Sequence, residues 1–255
     1  MKLSIITPSF NQGKYIEQTI QSVLNENNSM IEYIVIDGGS TDETVSILQK
    51  YAGIKWVSEK DNGQSHAINK GIKMAAGEII GWINSDDLYY PNALNTVIEW
   101  FNKNPQADFL YGDIEYINEN GDHLFTQTGH VISFENLISD PYIMRQPSCF
   151  WRKSVIEKCG MLRENLHVVM DLDLTLRILK SSEAHYFPMT YSKFRFYDQG
   201  KSLRLFKKQF YEMLIVLWPY WLFKFKTFKF LFGRWLDIQD KNSIIPKLFR
   251  PLRKS

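Results

Sequence analysis

The stretch EIIGWINSDDLYYP, residues 78–91, runs an apolar segment straight into two adjacent carboxylates, Asp86 and Asp87. Three more acids follow earlier apolar runs: Asp37 after IEYIVI, Asp42 in DGGSTD, and Asp61 in SEKDNG. Crowded carboxylates disfavour one another's charge unless a cation offsets it. A hard divalent ion, Mg²⁺ or Mn²⁺, takes one or two carboxylates together with phosphate oxygens. The pattern therefore points to a metal–diphosphate site. Each piece also has a plainer reading. Asp-Asp ahead of Pro91 suits a helix start favoured by the dipole. DGGSTDET makes a strand-to-helix turn with Ser40 and Glu43 at capping-box spacing. The ordered recurrence of the clusters favours the site.

The elements that must position these acids alternate in type. LSIITPSF (3–10), IEYIVIDGG (31–39), IKWVSE (54–59) and EIIGWIN (78–84) read as buried strands. Between them, GKYIEQTIQSVLNE (13–26), a helix opened by Ser40, and GQSHAINKGIKMAAG (63–77) carry helical spacing, the last with Gly77 near its stop. Pro91 suits the first turn of the helix ALNTVIEWFNK. Such alternation predicts a mostly parallel sheet with helices on both faces. Ligands of such sheets bind beyond the carboxyl ends of the strands, where the acids lie. After Asp108 the pattern turns mixed. FLYGDIEYIN and HLFTQT flank an ENGD turn as a hairpin, PSCFWR (147–152) reads as a strand, and a helix is expected from Asp171 to Lys180.

Composition bounds the class. The 255 residues are 44% hydrophobic and 23% charged, as in a folded globular protein. The net charge of +2 hides an asymmetry: residues 201–255 hold 13 Lys/Arg against 3 Asp/Glu, and residues 1–200 hold 17 against 25. Cys149 and Cys159 match no zinc or redox spacing and read as free thiols. The opening MKLSIITPSFNQ is too short an apolar run for a signal peptide, and no stretch reaches ~20 apolar residues. The three-glycine dinucleotide fingerprint and the phosphate-loop GxxxxGK[ST] are missing, which disfavours a nicotinamide enzyme or an ordinary ATPase. The five histidines form no ligand spacing.

Four segments, in order and spacing, resemble family 2 glycosyltransferases: SIITPSFNQGKYIEQTIQSVL, YIVIDGGSTDETVSIL, EKDNGQSHAINKGIKMAAGEIIGWINSDDLYYPNAL and VVMDLDLTLRIL. The resemblance covers roughly residues 1–200. It implies a GT-A domain, Rossmann-like, with a nucleotide half (1–108) and an acceptor half (109–200). It further implies that Thr7, Pro8, Asn11, Asp37, Asp61 and Asn69 build the nucleotide-sugar site. Asp86 would sit near the ribose, and Asp87 would ligate Mn²⁺ or Mg²⁺. Asp171 would be the base that deprotonates an acceptor hydroxyl, in an inverting single displacement. Asp173 is its rival, and on a helix the two point ~200° apart. Both acids would equally suit a helix N-terminus. Gln146, in MRQPS, falls on the acceptor side. Many relatives carry histidine where Tyr197 stands, and the resemblance leaves Arg195 and Lys201 to supply positive charge over the donor.

Residues 201–255 read as a separate basic, aromatic extension, FKKQFYEMLIVLWPYWLFKFKTFKFLFGRW, with Pro219 interrupting any helix. Aromatics mixed with lysines suit an anionic membrane surface; packing on the catalytic domain or across a dimer is the other reading. Nucleic acid is not an expected partner. The whole predicts a cytoplasmic enzyme, peripheral on the inner membrane face. It would take a nucleotide-diphosphate sugar donor, with a UDP-sugar favoured, and a glycan or lipid-linked glycan acceptor in surface-polysaccharide synthesis. A nucleotidyltransferase and an inactive scaffold are the rival readings. The Gly-rich basic loop expected of the former is missing from TPSFNQGK.

Overall fold

The computed structural model describes residues 1–198 and 200–221. The first half builds β1 (Leu3–Ser9), α1 (Ile16–Leu24), β2 (Ile31–Asp37), α2 (Thr44–Leu48), β3 (Lys55–Ser58), α3 (Gln64–Met74), β4 (Ile79–Trp82), β5 (Leu88–Tyr89) and α4 (Ala93–Lys103). The second half adds β6 (Phe109–Ile117), β7 (His123–Gln127), α5 (Phe134–Ser139), β8 (Cys149–Arg152), α6 (Lys153–Lys158), α7 (Met170–Ile178), β9 (Ala184–Arg195), α8 (Lys201–Arg204) and α9 (Phe206–Trp221).

One nine-stranded sheet runs in the order β3-β2-β1-β4-β8-β6-β9-β5, with β7 on β6. The pairs β1–β2, β1–β4, β2–β3 and β6–β9 are parallel; β8 enters antiparallel between β4 and β6. Strand alternation divides the core between the two faces. Ile6, Ile34, Ile36, Ile80 and Trp82 face α3, α7 and α9, while Ile5, Tyr33, Val35 and Ile79 face α1 and α4. Such two-sided burial explains why β1 and β2 read as unbroken apolar runs. Trp82 stacks on Trp151 at 4.5 Å between ring centroids, which joins β4 to β8. Cys149 and Cys159 are free.

Four local expectations shift. Helix α2 starts at Thr44 with no side-chain cap, because Ser40 donates its hydroxyl to Asp37 instead of closing a box with Glu43. Helix α4 starts at Ala93, not Pro91, because Tyr90 is still tied to β9 through its N–H on Tyr191 O (2.9 Å). Helix α3 ends at Met74, so Gly77 is not its stop. Gly77 lies against β1: a Cβ there would meet Ser4 N at 2.7 Å and Lys2 O at 2.9 Å. Backbone cannot yield as a side-chain tip can, so Gly77→Ala is expected to destabilise the fold by about 1–3 kcal/mol, read by urea unfolding. Finally, Pro219 lies within α9 and does not interrupt it, since that helix runs on to Trp221. The rest of the extension, 222–255, falls outside the described residues.

Candidate active site

The C-terminal ends of β1, β2, β3 and β4 open on one rim, as the strand pattern predicts. Asp37 ends β2 in register with Ser9 and Ser58. It is fully buried, and its carboxylate accepts from Gly39 N (3.1 Å), Ser40 N (2.9 Å), Ser40 Oγ and Ser58 Oγ (2.6 Å). Its donors are all internal, so Asp37 shapes the DGGS turn and faces no open space. Thr7 is likewise 0% exposed and bonded to Tyr33 Oη at 3.0 Å, while Pro8 is buried beside it. Asn11, at φ 52°, ties the first loop to the second: its N–H donates to Ser40 Oγ (2.7 Å) and its Oδ1 accepts from Thr41 N (2.9 Å). Asp61 is partly exposed and accepts from Gly63 N at 2.7 Å. Its carboxylate occupies the space beside Gly38, where a Cβ would come within 2.8 Å of Oδ2. Gly38 is therefore what lets Asp61 reach the rim.

Asn69 is not on that rim. Its side chain clips the 161–164 segment, donating to Leu162 O (2.9 Å) and accepting from Leu162 N (3.0 Å). Gln146 is also spent on structure, donating to Trp82 O at 2.6 Å with 8% exposure.

The acidic pair divides by depth. Asp87 is 1% exposed, and its oxygens accept from Arg195 N (2.9 Å) and Asn84 Nδ2 (3.0 Å). Asp86 is partly exposed and accepts from the Tyr197 hydroxyl at 2.9 Å. Burial raises the pKa of Asp86, and burial followed by the neighbouring Asp86 charge raises that of Asp87 much further. The Arg195 guanidinium holds Asp86 O (2.9 Å), Glu119 O (2.7 Å) and Gln18 Oε1 (2.8 Å), and lies over Tyr15. Tyr197 packs beside the same Tyr15 ring. Among the described residues, no three His, Cys, Asp or Glu side chains group as a cation cage. Asp42 is spent on the turn into α2, accepting from Gly13 N (2.8 Å) and Thr44 N (3.0 Å), so the five acids expected from sequence resolve into structural and open carboxylates. A single open carboxylate still fits a hard cation whose other ligands come from a diphosphate.

Asp171 and Asp173 separate as helical geometry requires. Asp173 is 4% exposed and ion-paired to Arg177 (2.8 Å) and Arg163 (3.1 Å), so it serves the packing of α7. Asp171, partly exposed in the first turn of α7, is pushed up to about 6 by burial. Lys201, at the start of α8, reaches the start of α3. Burial lowers its pKa to about 8, and its charge favours the ionised forms of both Asp171 and Asp86. Its ammonium donates to Gln64 Oε1, Gln64 donates to Asn84 Oδ1 (2.6 Å), and Asn84 donates to Asp87.

Residues 4–167 match the profile of Glycosyl transferase family 2. The chain belongs to that family. Family 2 is a family of glycosyl transferases, and no nucleotidyltransferase profile is needed to account for residues 4–167. An uncharacterized glycosyltransferase of Rickettsia felis is 30% identical over 230 residues, covering 86% of this chain; the chain spans only 38% of that protein. Staphylococcus aureus TarS (1–349) with UDP-GlcNAc superposes with a TM-score of 0.70 at 20% identity, over 99% of this chain and 77% of that one. A mannosyltransferase from Pyrobaculum calidifontis, solved with GDP-Man and Mn²⁺, gives 0.62 at 17% identity, over 87% and 64%. The fold is GT-A. Within this family-2 site, sequence reasoning passed over Gln64 and Asn84, although both stand in the quoted motifs. Polar residues opening a helix and ending a buried strand were the available signal.

Proposed function

We propose that this family 2 enzyme moves a sugar from a nucleoside diphosphate, a UDP-sugar by preference, to a hydroxyl of a glycan or lipid-linked glycan in one inverting displacement. The observation that carries the reading is the hydrogen-bonded run from Lys201 through Gln64 and Asn84 to the acidic pair, which places a cation beside Asp86 and Asp87 with its charge also felt at Asp171. A donor diphosphate needs the first region and an acceptor hydroxyl needs a base in the second. Asp61 accepts an N–H of the base, Asn11 holds the loop beside it, and Asp86 takes the cation. We assign that ion to Asp86 instead of Asp87, because Asp87 is sealed beneath Asn84 and the Arg195 N–H. A bound Mn²⁺ or Mg²⁺ would neutralise the diphosphate and stabilise the leaving nucleoside diphosphate. Asp171 takes the acceptor proton, and Lys201 keeps it ionised while drawing the donor phosphates in.

A panel of nucleotide sugars with Mn²⁺ and candidate glycan acceptors tests this. Nucleoside diphosphate should appear with a UDP-sugar and rise when the right acceptor is added. Pyrophosphate release, or no release with any donor, overturns the proposal.

The same reading includes a lipid surface. No helix among the described residues is long and apolar enough to cross a membrane. On α9, however, Tyr211 (65%), Ile215 (65%) and Trp218 (60%) stand exposed at i, i+4 and i+7, with Arg204, Lys207 and Lys208 exposed nearby. An apolar stripe beside cations fits an anionic interface. Ile215→Glu with Trp218→Glu should lower co-sedimentation with phosphatidylglycerol vesicles by ~10-fold or more, given ~1.5–3 kcal/mol per buried large side chain. Unchanged sedimentation rules out this surface.

A further inference from the structure

The opposite face of α9 carries a buried acid that the sequence did not single out. Glu212 is 5% exposed on a helix whose other inward residues, Met213, Val216 and Leu217, join the core. Its carboxylate accepts three successive backbone N–H groups: His167 (3.0 Å), Val168 (2.8 Å) and Val169 (3.3 Å). Those residues lead directly into α7, whose N-cap position, Val169, offers no capping side chain. Asp171 follows two residues later. A carboxylate from another helix thus holds the N-cap residue of α7 and the two residues that lead into it.

The His167 ring packs beside Gly63, where a Cβ would be 3.5 Å from Nδ1, a contact of the ring and not of the backbone that Glu212 holds. Lys201 also lies within electrostatic reach of Glu212 and Asp171 together. Nearby Lys208, exposed and 4.0 Å from Glu212, is too solvated to replace these contacts.

We infer that Glu212 is a positioning residue: it fixes the 167–169 backbone and thereby the aim of the Asp171 carboxylate at the acceptor. The inference rests on Asp171 being the base. A misaimed base lowers turnover while leaving donor affinity intact, because donor binding is made elsewhere.

The test uses the full chain, measuring kcat and donor KM for nucleoside diphosphate release, UDP–Mn²⁺ affinity by calorimetry, and Tm. Glu212→Gln keeps the size and one acceptor oxygen, but it removes the charge and sets an N–H₂ against the His167 N–H that Oε1 accepts. It is expected to lower kcat at least 10-fold with UDP affinity and donor KM within 2-fold. Gly77→Ala, which strains the fold against Ser4 and Lys2 and not at α9, is expected to hold kcat within 2-fold below its own Tm. If Glu212→Gln does not fold, Glu212→Asp, with its carboxylate drawn back by one methylene, carries the same expectation. Normal kcat overturns the inference. So does a parallel loss of UDP affinity, or an equal kcat loss in Gly77→Ala. An active Asp171→Asn would remove the base assignment and this inference with it. An inactive Asp171→Asn beside a normal Glu212→Gln would remove only the positioning role.

Discussion

Asp171→Asn is expected to lower turnover by ~10²–10⁴-fold while UDP–Mn²⁺ binding stays within 2-fold of wild type. The amide keeps the shape of the side chain but cannot take a proton from the attacking hydroxyl. The wild-type pH profile gives a second readout. Burial holds this carboxyl near 6, so kcat should climb as pH rises through about 6 and then level. The same shift has a stability consequence whose sign is fixed by linkage. The folded value lies above the ordinary unfolded value of ~3.9. The stability this group contributes is therefore complete below about 4 and lost as pH rises through 6. Asp171→Asn should thus raise Tm by roughly 2–6 °C at pH 7.5 and change it little at pH 4. A variant that loses activity while gaining stability is what a functional carboxylate predicts. A variant that loses both would identify Asp171 as a packing residue, and normal turnover would remove it as the base.

The second large effect concerns the cation. Asp86→Ala is expected to weaken Mn²⁺-dependent UDP binding by ~100-fold or more, measured by calorimetry with and without the metal. Asp86 is the open member of the pair, whereas Asp87 is 1% exposed and holds the main chain of Arg195. Asp87→Asn should instead cost fold stability, with a smaller loss of metal dependence. If Asp87→Asn abolished the metal effect and Asp86→Ala left it intact, the assignment would revert to the deeper acid. The pair also sets the pH response. Both carboxyls are raised by burial, so protons compete with the cation, and Mn²⁺ affinity should fall as the pH is lowered.

Much of this architecture is readable from residue types alone. The unbroken apolar runs of β1 and β2 and the helical spacing of α1 and α3 give the sheet and its two covered faces, and the strand-end acids mark the rim. What the sequence hides is direction. Asp37 and Asp61 look equivalent as acids after strands, yet one spends its oxygens on Ser40 and Ser58 while the other lies over Gly38. Asp86 and Asp87 differ only in which one the returning strand β9 covers, a contact across 108 positions. Asn69 and Gln146 sit in motifs that resemble the family's, yet their amides clip Leu162 and Trp82. Such choices depend on long-range neighbours, which local spacing does not encode. Asp173 is the exception: its i,i+4 partner Arg177 is visible in the sequence and already suggests a structural ion pair.

The return of β9 also orders events during synthesis. A nascent chain that has emerged only as far as residue 167 holds β1 to β4 and α3. It still lacks Asp171, the Arg195 amide that covers Asp87, the Tyr197 hydroxyl, Lys201 and Glu212. A chain of that length therefore has the rim of strand ends but not the β9, α8 and α9 residues that close over its acids.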